Sequence, residues 1–165
     1  MTKIEILQPA HWPDVRRIYL EGIATGQATF QTDAPQWEDW DKSHLSDLRY
    51  VALTDDGNMA GWVALSPVSS RCVYAGVAEV SVYVSEEFRG KKVGQALLQH
   101  LITESEKANL WTLQAGIFPE NEASVKLHEK LGFRIIGYRE RVAKQYGVWR
   151  NVYLLERRSN AVGID

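Results

Sequence analysis

The stretch Val82-Tyr-Val-Ser-Glu-Glu-Phe-Arg-Gly-Lys-Lys-Val-Gly-Gln-Ala-Leu-Leu98 constrains this chain more than any other. Val80, Val82 and Val84 alternate with Glu79, Ser81 and Tyr83, which predicts a strand over Ala75–Val84 with one apolar and one polar face. From Val93 to Lys107 the period becomes helical, and Leu97, Leu98, Leu101 and Ile102 form a buried stripe. A basic turn with Gly90 and Gly94 joins the two. Such a junction suits an anion: the helix end offers free N–H groups and partial positive charge, and glycines let phosphates approach the backbone. Glycines alone also serve tight turning, so the anion reading needs support elsewhere.

Around this junction the chain reads as alternating elements. Lys3–Leu7 is a strand, and Pro9 and Pro13 bracket the start of a helix with Val15, Ile18, Tyr19 and Ile23 on one face. Gly22–Pro35 reads as a loop and Glu38–Leu48 as a short helix. Strands at Tyr50–Leu53 and Met59–Leu65 are joined by the turn Asp55-Asp56-Gly57-Asn58. Trp111–Phe118 is a strand, and Asn121–Leu131 a helix capped by Asn121 and stopped by Gly132. Strands Phe133–Tyr138 and Val148–Leu155 follow, joined by a loop holding Lys144, Tyr146 and Gly147. No repeat or linker interrupts the pattern, so residues 1–165 read as one mixed α/β domain, with 157–165 as a C-terminal tail. Trp12, Trp37, Trp40 and Trp62 read as core or loop packing.

Composition narrows the function. Apolar residues at 45% and charged residues at 24% describe a globular protein. A net charge of -2 offers no field for nucleic acid, and no apolar run is long enough to span a membrane. The clusters Arg89, Lys91, Lys92 and Arg157, Arg158 would by charge alone be solvated faces. Cys72 is the single cysteine, which excludes an internal disulfide and favours a cytoplasmic setting. Met1–Glu5 is charged with no apolar core after it, so no secretory leader is expected. His and Cys residues lack ligand spacing, so no metal is expected.

Arg89, Gly94 and the helix they open resemble the GCN5-related N-acetyltransferase superfamily, whose pattern is Arg/Gln-x-x-Gly-x-Gly/Ala after a strand; Lys92 stands in place of the central glycine. A second segment, Asn121-Glu-Ala-Ser-Val-Lys-Leu-His-Glu-Lys-Leu-Gly-Phe133, is similar to the superfamily's Asn-to-Gly-Phe segment. Roughly thirty residues separate the two, room for a helix and a strand. The resemblance implies a mostly antiparallel sheet splayed at an acetyl-CoA site and flanked by helices. It implies that the pantetheine arm pairs with Val82, Tyr83 and Val84, and that Arg89, Gly90, Lys91, Lys92, Val93, Gly94 and Gln95 surround the pyrophosphate. Asn121 and Lys130 complete the implied cofactor contacts.

A narrower resemblance is to the phosphinothricin acetyltransferase group. It rests on Gln27-Ala-Thr-Phe30 with Pro35, on Glu79 before Val-Tyr-Val, on His128 where the wider superfamily often has Tyr, and on Lys144-Gln-Tyr-Gly-Val-Trp149. That group usually carries Asp after the Trp, where Arg150-Asn151 stands here, so acceptor preference is expected to shift. The resemblance implies direct transfer in a ternary complex, with no acetyl carried on Cys72, and a homodimer.

An acceptor amine is protonated at neutral pH and must lose a proton before it attacks a thioester. Glu79, on the polar face of its strand, is the candidate base, and His128 the candidate proton relay or substrate contact. Phe30, Arg71, Tyr83 and Trp149 are candidates for acceptor recognition, since a small amino-acid-like substrate needs an anion partner and an apolar wall. The alternatives are transfer to a polyamine or protein N-terminus, favoured by an acidic pocket, and a non-catalytic acyl-CoA sensor.

Overall fold

Every residue from Met59 to Leu65 is buried, which an antiparallel strand achieves only when both of its faces are covered. The computed structural model describes Met1–Asp165 and shows what covers them. Strands β1 (Thr2–Ile6), β2 (Tyr50–Thr54), β3 (Met59–Pro67), β4 (Val77–Val84), β5 (Thr112–Ile117), β6 (Arg134–Gln145) and β7 (Val148–Arg158) form one sheet in the order β1-β2-β3-β4-β5-β7-β6. On one face Val63 and Leu65 meet Leu97, Leu98, Leu101 and Ile102 of α3 (Val93–Lys107), with Val125 of α4 (Glu122–Lys130) in the same cluster. On the other, Met59, Trp62 and Ala64 meet Trp12, Val15 and Ile18 of α1 (Trp12–Ala24) and Trp40 of α2 (Trp37–Ser43). All four tryptophans expected in packing, Trp12, Trp37, Trp40 and Trp62, belong to this second layer, Trp37 at its margin.

The sheet is mixed through a single parallel pair. β4 and β5 pair only at Val77–Glu79 against Thr112–Gln114, and all other neighbours are antiparallel. Beyond Glu79 the two strands have no paired residues, and this opening positions the site.

Several elements differ from the sequence expectation. Helix α2 ends at Ser43 rather than Leu48, because the Ser43 hydroxyl donates to the Trp40 carbonyl and His44 Nδ1 bonds the same oxygen at 2.7 Å. Such side-chain bonds compete with helix continuation. β6 runs on to Gln145, and Tyr146-Gly147 make a two-residue turn with φ of 50° and 79°. That is the left-handed pair a tight hairpin favours. The charged run Tyr138–Arg141 hides this strand, since it lacks alternation. The expected tail also begins later: Arg157 and Arg158 are the last residues of β7, and Arg158 donates to the carbonyls of Val162 and Gly163 at 2.8 and 2.7 Å.

Gly61 lets β3, β4 and α3 approach. A Cβ there would lie 2.7 Å from the Tyr83 carbonyl oxygen and 3.0 Å from Leu97 Cδ1. Gly61→Ala is therefore expected to destabilise the fold by about 1–3 kcal/mol, measured as a lower urea midpoint at unchanged slope.

Candidate active site

The Ser85 amide donates to the Ala60 carbonyl at 2.8 Å, one step beyond the Gly61–Val84 pair. In an antiparallel ladder hydrogen-bonded and non-bonded pairs alternate. Hence Ser85, Tyr83 and Ser81 turn their backbone groups toward β3, and Val84, Val82 and Val80 turn theirs toward β5. Where β5 has diverged, those amides and carbonyls face the opening. Buried backbone groups need partners, and an extended ligand with its own amides can supply them.

At the C-terminal end of β4 the opening meets the turn into α3. Gly90 (φ 77°) and Lys92 (φ 64°) are both left-handed, so Lys92 holds a conformation that glycine adopts at less cost. No side chain caps α3, and Ala96 is the first of its amides to bond back, to Lys92 at 3.1 Å. The amides of Val93, Gly94 and Gln95 thus remain for an anion. A cavity of about 480 Å³ lies here, walled by Val82, Tyr83, Val84, Arg89, Gly90, Lys92, Val93, Gly94, Gln95 and Asn121. Lys91 and Lys130 are not on its wall. Lys91 Nζ sits 5.3 Å from the Phe88 ring centre, and Lys130 donates to Gln95 Oε1 at 3.0 Å. The Asn121 side chain caps α4 by accepting from the Ser124 amide at 3.3 Å and donates to the Gln27 carbonyl at 3.2 Å.

A second cavity, about 520 Å³, shares Ala28, Val82, Tyr83, Asn121 and Ser124 with the first. Glu79, Phe30 and His128 stand on its wall. Glu79 forms no ion pair, and burial pushes its carboxyl above the usual range. Its Oε1 lies 3.7 Å from the point a Cβ on Gly116 would occupy, which places the carboxylate beside the β5 backbone. His128 is 2% exposed, and its Nδ1 lies 2.7 Å from the Ser124 carbonyl. A carbonyl only accepts, so Nδ1 carries the proton and Nε2 is an acceptor. Burial pushes the imidazole pKa down, opposed by that hydrogen bond. Phe30 meets Phe118 edge-on at 4.8 Å, and Tyr83 stacks on Trp62, its phenol pKa driven upward by burial.

The model of the Acetyltransferase (GNAT) family matches residues 10–133. The chain belongs to this GNAT family. It is 37% identical over 152 residues to an L-methionine sulfoximine/L-methionine sulfone acetyltransferase of Pseudomonas paraeruginosa, covering 89% of this chain and 88% of that one. It is 31% identical over 147 residues to a phosphinothricin N-acetyltransferase of Streptomyces coelicolor, covering 85% and 86%. The fold matches a GNAT superfamily phosphinothricin acetyltransferase from Sinorhizobium meliloti, solved with AcCoA, at a TM-score of 0.89 and 24% identity, over 99% of this chain and 91% of that one.

Within this GNAT domain two acceptor candidates lie away from the cavity. Arg71 is exposed ahead of a short helical turn, its guanidinium 5.5 Å from the Tyr74 ring centre. Trp149 stands at the start of β7 beside the hairpin turn, 53% exposed under Lys144. Arg139, not Arg71, stands on the cavity wall: it is the sole Lys or Arg there and forms no ion pair. The sequence hid it inside a charged run, and a register shift between Arg139 and Ala143 brings β6 against the cavity.

The His128 shift carries a pH signature. Below its ordinary pKa of 6.5 the unfolded chain binds a proton that the folded imidazole resists. Stability is then complete above that value and is lost as pH falls below it toward the depressed folded pKa. His44, also lowered by burial, adds to the same slope. The two histidines should lower the unfolding free energy from about pH 7 to about pH 5, with Glu79, whose pKa burial raises, acting in the opposite sense; His128→Gln should remove part of the histidine slope in urea titrations.

Proposed function

We propose that this chain transfers the acetyl group of acetyl-CoA to the α-amine of a small amino-acid-like acceptor, of the phosphinothricin or methionine sulfoximine type, by direct transfer in a ternary complex. The observation that carries this is one opening in the sheet with an uncapped, anion-ready helix end on one side and a half-buried carboxylate without an ion pair on the other. Acetyl-CoA supplies an activated acetyl thioester. The Val82 and Val84 backbone pairs with the amides of its pantetheine arm, and the amides of Gly90–Gln95, with Arg89 and Lys92 nearby, hold its pyrophosphate.

Glu79 takes the proton of the acceptor ammonium, directly or through one water, and its raised pKa suits that exchange. His128, neutral with a bare Nε2, accepts a hydrogen bond from the acceptor; it donates to the leaving sulfur only after gaining a proton. Arg139 pairs with the acceptor's carboxylate or phosphinate, and Phe30 walls its side chain. Exposed Ile135, Ile136, Tyr138, Val148 and Trp149 on the β6–β7 hairpin support a homodimer through that hairpin. The free, exposed Cys72 fits a cytoplasmic setting.

A longer, cationic acceptor such as a polyamine is the second reading. A neighbouring cavity of about 540 Å³, beyond Tyr83, carries Asp33 and Asp39 and no Lys or Arg. Thiol release with phosphinothricin, methionine sulfoximine and a polyamine separates the two: turnover on the polyamine alone discards the amino-acid reading. On the preferred acceptor, Glu79→Gln should lower kcat/KM by about 10²–10⁴-fold, and the wild-type acid limb should lie above the ordinary carboxylate value of 4.5. Unchanged Glu79→Gln activity would remove Glu79 from the mechanism. Arg139→Gln should raise KM for methionine sulfoximine roughly 10-fold while leaving its decarboxylated amine analogue unaffected.

A further inference from the structure

The segment Thr25–Gln31, between α1 and α2, belongs to no helix or strand, yet it walls both cavities: Gln27 and Ala28 the cofactor side, Ala28, Thr29 and Phe30 the acceptor side. Its position depends on side chains from the far end of the sequence. Arg150 of β7 donates through Nη1 to the Gly26 carbonyl at 2.9 Å and through Nη2 to Gln27 Oε1 at 2.6 Å. Nη1 also donates to Gln145 Oε1, and Gln145 Nε2 donates to the Thr29 carbonyl at 2.7 Å. The guanidinium carbon lies 3.9 Å from the centre of the Phe118 ring, whose edge contact is Phe30. Arg150 and Gln145 are thus one hydrogen-bonded unit reaching from β7 and β6 to the segment that carries Phe30.

Two features separate this unit from ordinary surface pairing. The Arg150 side chain is 13% exposed, while the nearest carboxylate, Glu120, is 3.5 Å away and 52% exposed. A buried guanidinium with so weak an ion pair must spend its donors on neutral oxygens, and those oxygens lie on the loop and on Gln145. Its effect is also uneven along the loop. Gln27 has an independent tie, from Asn121 Nδ2 to its carbonyl, whereas the bond to the Thr29 carbonyl comes from Gln145, which Arg150 orients. Arg150 itself lines neither cavity; it contacts Gln27 and Phe118, which do, from behind.

We propose that Arg150 is a positioning residue: through Gly26, Gln27 and Gln145 it fixes the Gly26–Phe30 segment against the acceptor-side cavity and so sets which acceptors fit there. The role rests on the acetyl-transfer reading of that cavity. The arrangement gives a physical basis for an acceptor preference shifted by the Arg150-Asn151 pair. Loss of the clasp frees Thr29 and Phe30 while Asn121 retains Gln27, so it acts on the acceptor before the cofactor.

The test compares wild type, Arg150→Lys, Arg150→Gln, Gln145→Ala and the Arg150→Gln/Gln145→Ala double variant. Amide hydrogen exchange of residues 26–31 is read alongside steady-state thiol release with methionine sulfoximine and with bulkier amino-acid amines. Arg150→Gln should speed exchange in that segment. It should raise acceptor KM roughly 10-fold with acetyl-CoA KM changed by less than about 3-fold, and narrow the preference for the small acceptor over bulkier ones. Gln145→Ala should reproduce the acceptor effect, the double variant should be no worse than the stronger single one, and Arg150→Lys should recover part of it. A lowered melting temperature with unaltered exchange and acceptor preference would overturn the proposal, as would additive effects in the double variant. If Arg150→Gln does not fold, Gln145→Ala and Arg150→Lys decide by the same readouts. A wild type inactive on every amine sinks the acetyl-transfer reading, whereas the exchange data still report on the clasp.

Discussion

A sheet stays closed because each interior strand satisfies the backbone of its neighbour, and this sheet stops doing so halfway along its only parallel pair. Three residues of β4 pair with three of β5, and then the strands separate. Everything functional follows from that interruption. It leaves alternate backbone groups of β4 without a protein partner. At the end of the same strand α3 begins with amides that no side chain caps. The interruption also opens a cavity deep enough to desolvate the carboxylate on the opposite edge of β4. β3 and β4 hold firm beside the opening because their pairing is complete from Gly61–Val84 to Pro67–Ala78 and both faces are packed.

Burial then acts on the two titratable groups in opposite senses. It disfavours charge wherever charge is made, so the Glu79 carboxyl is pushed up and the His128 imidazole down. Both shifts bring the groups nearer to neutrality at ordinary pH, and the shared cavity links them. The hydrogen bond from His128 Nδ1 to its own helix determines which nitrogen is bare, so α4 sets the chemistry of the ring as well as its position.

Local periodicity carried much of this into view before any tertiary contact was known. The bounds of α3 and the capping role of Asn121 were legible, because helix stripes and caps depend on neighbours within a turn or two. Glu79, His128 and Phe30 do line one cavity. Arg71 and Trp149 do not, and Arg139 does; a residue's reach across a sheet depends on register, and register here turns on a bulge. That bulge is supported by Asn151 Oδ1 accepting from the Arg141 amide at 2.8 Å, a contact between residues ten apart with no local signature. The long β6–β7 hairpin was obscured by the charged run within β6, which breaks its alternation.

The sequence by itself determined the strand-turn-helix junction at Val82–Leu98, the polar face that carries Glu79 and the family to which the chain belongs. The first two are properties of spacing along a few turns of chain, where intrinsic geometry dictates which side chains share a face, and the family was legible through the resemblance of its motifs. Only the tertiary structure decided where β4 and β5 part, which cation faces the cavity and what holds the Gly26–Phe30 segment in place. Those outcomes come from contacts across the fold rather than within a turn of chain, and the last of them from residues more than a hundred positions apart, Arg150 with Gly26 and Gln145 with Thr29. Packing, not local preference, chooses such partners.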